Sequence, residues 1–148
     1  MQLSRRTMLL ASAAWAVTAL RPSYVHAQGS ARPALPIPPE LKADSGGMIR
    51  LDVQAGTMRF LGDRETPTFG INGPYLGPAV RLRRGEKVVA RVNNNISEIT
   101  TMHWHGLIIP GAADGGPHQT IPTGKWWQAE LSVDQPPATL WIDRRASH

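Results

Sequence analysis

The sequence predicts an all-β sandwich, and three observations predict it. Apolar residues recur in short alternating runs, as in strands that bury one face. Clusters of Gly, Pro and Asn separate the runs at regular intervals. No helical 3.6-residue period is present after residue 28.

The elements follow in order. Arg32 to Leu41 carries Pro33, Pro36, Pro38 and Pro39, so it is extended and is expected along a domain surface. Gly46-Gly47 is a turn. Ile49 to Phe60 is a strand pair or one long strand, with Ile49, Leu51 and Val53 facing one way. Asn72-Gly73-Pro74 and Leu76-Gly77-Pro78 are turns. Val80 and Leu82 continue a short strand. Lys87 to Asn93 is a β-branched strand closed by Asn93-Asn94-Asn95. Thr100 to Ile109 is a further strand. Gly111 to Gly124 is a long loop. Trp126 to Val133 alternates again, with Trp127, Ala129, Leu131 and Val133 on one face. Gln135-Pro136-Pro137 then turns into a last strand, Thr139 to Ile142.

The chain has 148 residues, a formal net charge of +5 and no cysteine. Length allows about one domain. The cysteine count excludes disulfides, thiolate metal sites and a cysteine nucleophile. Residues 1–27 read as an export signal outside the fold. Ser4-Arg5-Arg6-Thr7-Met8-Leu9-Leu10 is a twin-arginine pattern, and Val25-His26-Ala27 is a cleavage-type site. The apolar run between them, Leu9 to Leu20, falls short of the roughly 20 residues a membrane span needs, so no membrane anchor is expected. A buried N-terminal helix is the competing reading. Without Arg5, Arg6 and Arg21 the net charge drops from +5 to +2. No nucleic-acid partner is expected on that balance. The densest remaining basic stretch, Arg81 to Lys87, alternates with apolar residues and contains Glu86, as a solvated strand edge does.

The concentrated chemistry is Thr101-Met102-His103-Trp104-His105-Gly106-Leu107. Histidines at i and i+2 on a strand project to one face, where two imidazoles can approach one metal cluster. Neutral imidazole suits copper, zinc, iron and nickel. The spacing alone also arises as a chance pair. Gly106 permits close approach of another segment, and equally an ordinary strand end. Trp104 faces away from the histidines, toward a core. His118 reads as a solvated loop residue, and His148 as a terminal one.

His103-Trp104-His105-Gly106 resembles the first copper motif of the multicopper oxidases. Leu76-Gly77-Pro78-Ala79-Val80 precedes it, and Asp114-Gly115-Gly116-Pro117 and Pro122-x-Gly124 follow, as in that family. Arg32-Pro33-Ala34-Leu35-Pro36-Ile37-Pro38 is similar to the mature start of the bacterial copper efflux oxidases. Val133-Asp134-Gln135-Pro136-Pro137-Ala138-Thr139 is similar to the segment before their second motif. The resemblance implies the first cupredoxin-like Greek-key domain of a three-domain periplasmic or secreted enzyme of the laccase and cuprous oxidase type. It divides the chain into a signal (1–27), a Pro-rich segment (28–48), a partial cupredoxin-like domain (49–141) and a divergent tail (142–148).

By the same resemblance, His103 matches a ligand of the type 2 copper and His105 a ligand of the type 3 pair. Those coppers form the cluster that reduces O₂ to water with electrons from the reducing substrate. Asp114 matches an acid that manages protons near the type 2 copper; by itself it reads as an Asx-turn onto the following glycine amides. After Trp141 the family continues to a His-Pro-His, whose two histidines are further ligands. Here Asp143 and Arg145 hold those positions, and Arg cannot ligate a metal. The type 1 site needs a thiolate. The expectation is therefore a sandwich incomplete at its C-terminus, cut by a frameshift, early stop or truncated gene model. It would bind copper and lack oxidase activity alone. A stand-alone copper-binding module is the alternative. Open sheet edges are expected to favour association between chains.

Overall fold

The computed structural model describes residues 37–146. The export signal, its cleavage site, residues 28–36 of the proline-rich segment and His148 lie outside the described residues. Eight strands and one 3-10 turn, Gly111–Ala113, make up the regular structure. The fold is the expected all-β sandwich. Its main sheet has four strands in the order β3-β2-β5-β7, where β2 is Met48–Leu61, β3 Arg64–Ile71, β5 Lys87–Asn94 and β7 Trp126–Ser132. Facing it is a two-stranded sheet of β6 (Thr100–His105) and β8 (Trp141–Ala146). A short parallel pair, β1 (Glu40–Leu41) with β4 (Ala79–Val80), lies beside them.

Alternation decides which face each strand buries. Ile49, Leu51 and Val53 of β2 and Val88, Ala90 and Val92 of β5 face inward. So do Ala129 and Leu131 of β7. Met102, Trp104 and Ile121 supply the other side of the core. β2 runs parallel to β5 from Met48 to Val53 and antiparallel to β3 from Val53 onward. Its second half carries no buried residue, because it leaves the sandwich as a hairpin with β3.

Asp44 shapes the turn that launches β2. Its carboxylate accepts from the Gly46 and Met48 amides and pairs with Arg50. The Met48 amide, followed by Gly46 and Arg50, holds this carboxyl below the usual aspartate range.

Two local expectations are corrected, and one strand is present that the sequence pattern does not announce. Arg64–Ile71 is a strand, though it carries Pro67 and no apolar alternation. It is an edge strand, where a missing ladder N–H is tolerated and neither face needs a core pattern. β6 stops at His105 rather than Ile109, because Gly106 takes φ +86° and turns the chain. The last strand is Trp141–Ala146 rather than Thr139–Ile142. Most of the segment read as a divergent tail is therefore hydrogen-bonded strand, paired along the whole of β6.

Between the two sheets lies an apolar groove of about 790 Å³, walled by Leu51, Val53 and Phe69 on one side and Trp104 and Ile142 on the other. Arg144 reaches across it, its guanidinium 4.5 Å from the Phe69 ring centroid. Among the described residues no helix is long and apolar enough to cross a membrane.

One buried polar residue ties the strands to the loop that follows. Asn94 is fully buried at the end of β5. Its amide donates to the Glu98 and Ile121 carbonyls, each at 2.8 Å, and its side-chain oxygen accepts from the Ile96 amide at 3.1 Å. Asn94→Ala removes these three hydrogen bonds and leaves the buried Ile96 amide without its partner. Such a group costs about 1–3 kcal/mol, so urea denaturation is expected to show a loss of at least that size. A stability within about 0.5 kcal/mol of wild type, the range of an ordinary surface change, would mean that water replaces the side chain.

Candidate metal centre

β6 sets His103 and His105 on one face and Trp104, 1% exposed, on the other, as the strand period requires. The antiparallel register places Asp143 of β8 directly opposite His103 and Trp141 opposite His105. Paired residues project to the same side of a sheet. Asp143 therefore shares the histidine face, while Ile142 lies opposite Trp104 on the core side.

The two imidazole rings stand 5.5 Å apart between centroids at 61°. His103 is largely buried and His105 is exposed. His103 Nδ1 lies 2.8 Å from the Asp114 main-chain oxygen and 3.2 Å from its carboxylate Oδ1. A ring nitrogen held between two acceptors carries the proton, which leaves Nε2 with the free lone pair. Asp114 thus lies beside His103. The Asx-turn reading is not what is observed: the Gly116 amide donates to Gln119, and the Asp114 carboxylate faces the imidazole.

The loop reaches His103 because of one glycine. Gly115 takes φ +73° and lies flat on β6, where a Cβ would overlap the Met102 carbonyl. Around it, Gln119 donates to the Ala112 carbonyl, and Thr100 and Ile121 exchange backbone hydrogen bonds at 2.7 and 3.2 Å. His118 is exposed, its ring folded over Gly116 and outside the His103 and His105 cluster. Gly106 does both things its sequence position allowed. It ends the strand, and it receives the Leu140 side chain where a Cβ would come within 2.9 Å.

Asp143, which holds a position where the family has a ligand histidine, is brought to the histidines by strand pairing. The β6–β8 register sets it directly across from His103. Its Oδ2 accepts from Arg145 Nε at 3.0 Å. Its Oδ1 is buried without a hydrogen-bond partner and lies 4.0 Å from His105 Nδ1. One ligand atom from each of His103, His105 and Asp143 falls within 4.8 Å of the others. Two imidazole nitrogens and a carboxylate oxygen are donors that copper accepts. The acceptor on His103 Nδ1 is the outer-shell partner that metal-ligating histidines use. The residues present therefore fit copper.

The loop seat is testable by itself. Gly115→Ala is expected to lower stability by more than the roughly 1–2 kcal/mol that a left-handed backbone costs an alanine, because the added methyl also meets the Met102 carbonyl. Asp114→Asn keeps the main-chain contact to His103 and is expected to melt within a few degrees of wild type. Equal melting temperatures for Gly115→Ala and wild type would remove the seat from the account.

Comparison with known proteins agrees with this geometry. The sequence is 38% identical over 141 residues to the cell division protein FtsP of Rahnella sp., covering 95% of this chain and 30% of that protein. It is 41% identical over 116 residues to the multicopper oxidase mco of Staphylococcus epidermidis, covering 77% of this chain and 26% of that one. Among solved structures it is similar to the laccase-like multicopper oxidase CueO of Ochrobactrum sp., with a TM-score of 0.73 and 44% identity. That alignment covers 76% of this chain and 25% of the other. The fold is thus cupredoxin-like, and the chain spans about 30% of the length of the FtsP relatives it matches. The multicopper oxidase family model matches residues 52–146, a span that includes both β6 and β8. Since that span holds both walls of the histidine face, the chain belongs to the multicopper oxidase family.

Proposed function

We propose that His103 and His105 are copper ligands and that this chain is the copper-binding N-terminal domain of a periplasmic or secreted multicopper oxidase. The observation that carries the reading is the fixed imidazole of His103, its Nδ1 held by Asp114 and its Nε2 free. In the family's arrangement His103 serves the type 2 copper and His105 the type 3 pair. Copper supplies the electron transfer and O₂ chemistry when bound.

The chain's own residues do the rest. Asp114 orients the His103 ring. Its carboxylate, 40% exposed, is also open to solvent and placed to exchange protons beside the site. Trp104 anchors the strand from the core side, which fixes the face from which both histidines project. Cuprous ion or phenol-type compounds are the proposed substrates of the complete enzyme. Support for the second comes from the Ochrobactrum relative, described as acting on lignin model compounds. Export by the twin-arginine route rests on Ser4 to Leu10.

The 148-residue chain alone is proposed to bind copper without catalysing O₂ reduction. A stand-alone copper-binding module is the second reading. The FtsP relatives, named for cell division rather than oxidation, favour its non-catalytic part, although this chain spans only 30% of their length.

Copper titration of the full chain tests the shared claim. The His103→Ala, His105→Ala double variant is expected to lose copper affinity by more than about tenfold, the lower end of what disturbing even an outer partner of a ligand costs. Unchanged affinity in a folded double variant would refute both metal readings.

A further inference from the structure

We propose that Asp143 is a third metal ligand, and that the isolated chain holds a single divalent copper ion between His103, His105 and the Asp143 carboxylate. The inference rests on the two histidines being copper ligands and puts a carboxylate donor where the family pattern has a histidine.

Three observations carry it. The strand register sets Asp143 across from His103 on the same face. Its Oδ1 is buried and makes no hydrogen bond, although its Oδ2 is bonded to Arg145. A buried carboxylate oxygen without a partner is costly, and a cation satisfies it. The separation from His105 Nδ1, 4.0 Å, is too long for a hydrogen bond. It suits two atoms on either side of one ion, since ligand bonds of about 2.0–2.2 Å put two donors roughly 3–4 Å apart. The full trio lies within 4.8 Å, so small side-chain movements, with His105 the most exposed of the three, bring all three donors onto one ion.

Arg145 acts as a positioning residue. By holding Oδ2 it turns Oδ1 toward the imidazoles. Two imidazoles and one carboxylate form a mixed donor set, open to further ligands, that differs from an all-histidine cluster. Of the divalent first-row ions, copper binds such a set most tightly.

Cupric chloride titration of the full chain, read by electron paramagnetic resonance, tests this. The wild type is expected to bind one Cu(II) with hyperfine structure from two nitrogens. Asp143→His is expected to keep the ion and show three nitrogens. Asp143→Ala is expected to bind at least about tenfold more weakly, as loss of a ligand or its partner does. Circular dichroism verifies that each variant is folded. Two nitrogens in folded Asp143→His, or unchanged affinity in folded Asp143→Ala, would overturn the Asp143 assignment while leaving the histidine ligands standing. Failure of the wild type to bind copper would instead overturn the reading on which it rests.

Discussion

The geometry of the histidine face depends on one close approach, the Gly115 backbone lying on the Met102 carbonyl. Side chains cannot enter that contact, since a single Cβ would overlap the strand. Because the chain passes there at φ +73°, the preceding residue is delivered to His103 with two oxygens in reach of one ring nitrogen. A loop a few ångströms farther out would leave His103 free to choose its tautomer and rotamer. The strand alone sets the face; the loop sets the nitrogen. Metal sites need both, since a ligand's affinity depends on what holds its far side.

That loop is itself held at its far end. Asn94 gathers the Glu98 and Ile121 carbonyls and the Ile96 amide, and its own backbone bonds to Gly124 and Lys125. A fully satisfied buried amide fixes one arrangement where apolar packing would allow several. The order of control runs from β5 through Asn94 to the loop, then through Gly115 and Asp114 to the imidazole. Each link is a hydrogen bond or a steric exclusion between named atoms. The core under β6 does the complementary work, with Met102 and Trp104 buried on either side of His103.

Much of this was legible in the sequence, for physical reasons that differ by residue. β2, β5 and β7 announced themselves because each buries one face and alternates accordingly, as Val88, Ala90 and Val92 do. The histidines were legible because period two needs no partner to be read. β3 was hidden because an edge strand with exposed residues on both faces carries no period, and Pro67 masks it further. Asp143 was legible as a departure from a ligand histidine, but its place across from His103 was not. Which residue faces His103 across the sheet is a matter of register, and register is fixed by pairing rather than by local pattern. Residues 142–146 depart from the family's His-Pro-His pattern, yet Ile142 packs against the core opposite Trp104 and carries the strand with it.

The charges around the histidines show why a carboxylate in this place favours a cation. Asp114 and Asp143 bring two negative charges to the face, and Arg145 returns one positive charge. The net charge stays negative, so a divalent ion is attracted even with the arginine present. Arg145 is more than half exposed, so water screens its repulsion, while the free Asp143 oxygen is buried and feels less screening. The pair is therefore asymmetric. The positive charge faces solvent and the unpaired negative oxygen faces the imidazoles. A neutral residue at 145 would lift the repulsion but release the carboxylate to rotate. The ion pair exchanges a little long-range attraction for a fixed donor direction, and at ligand-bond distances direction counts for more.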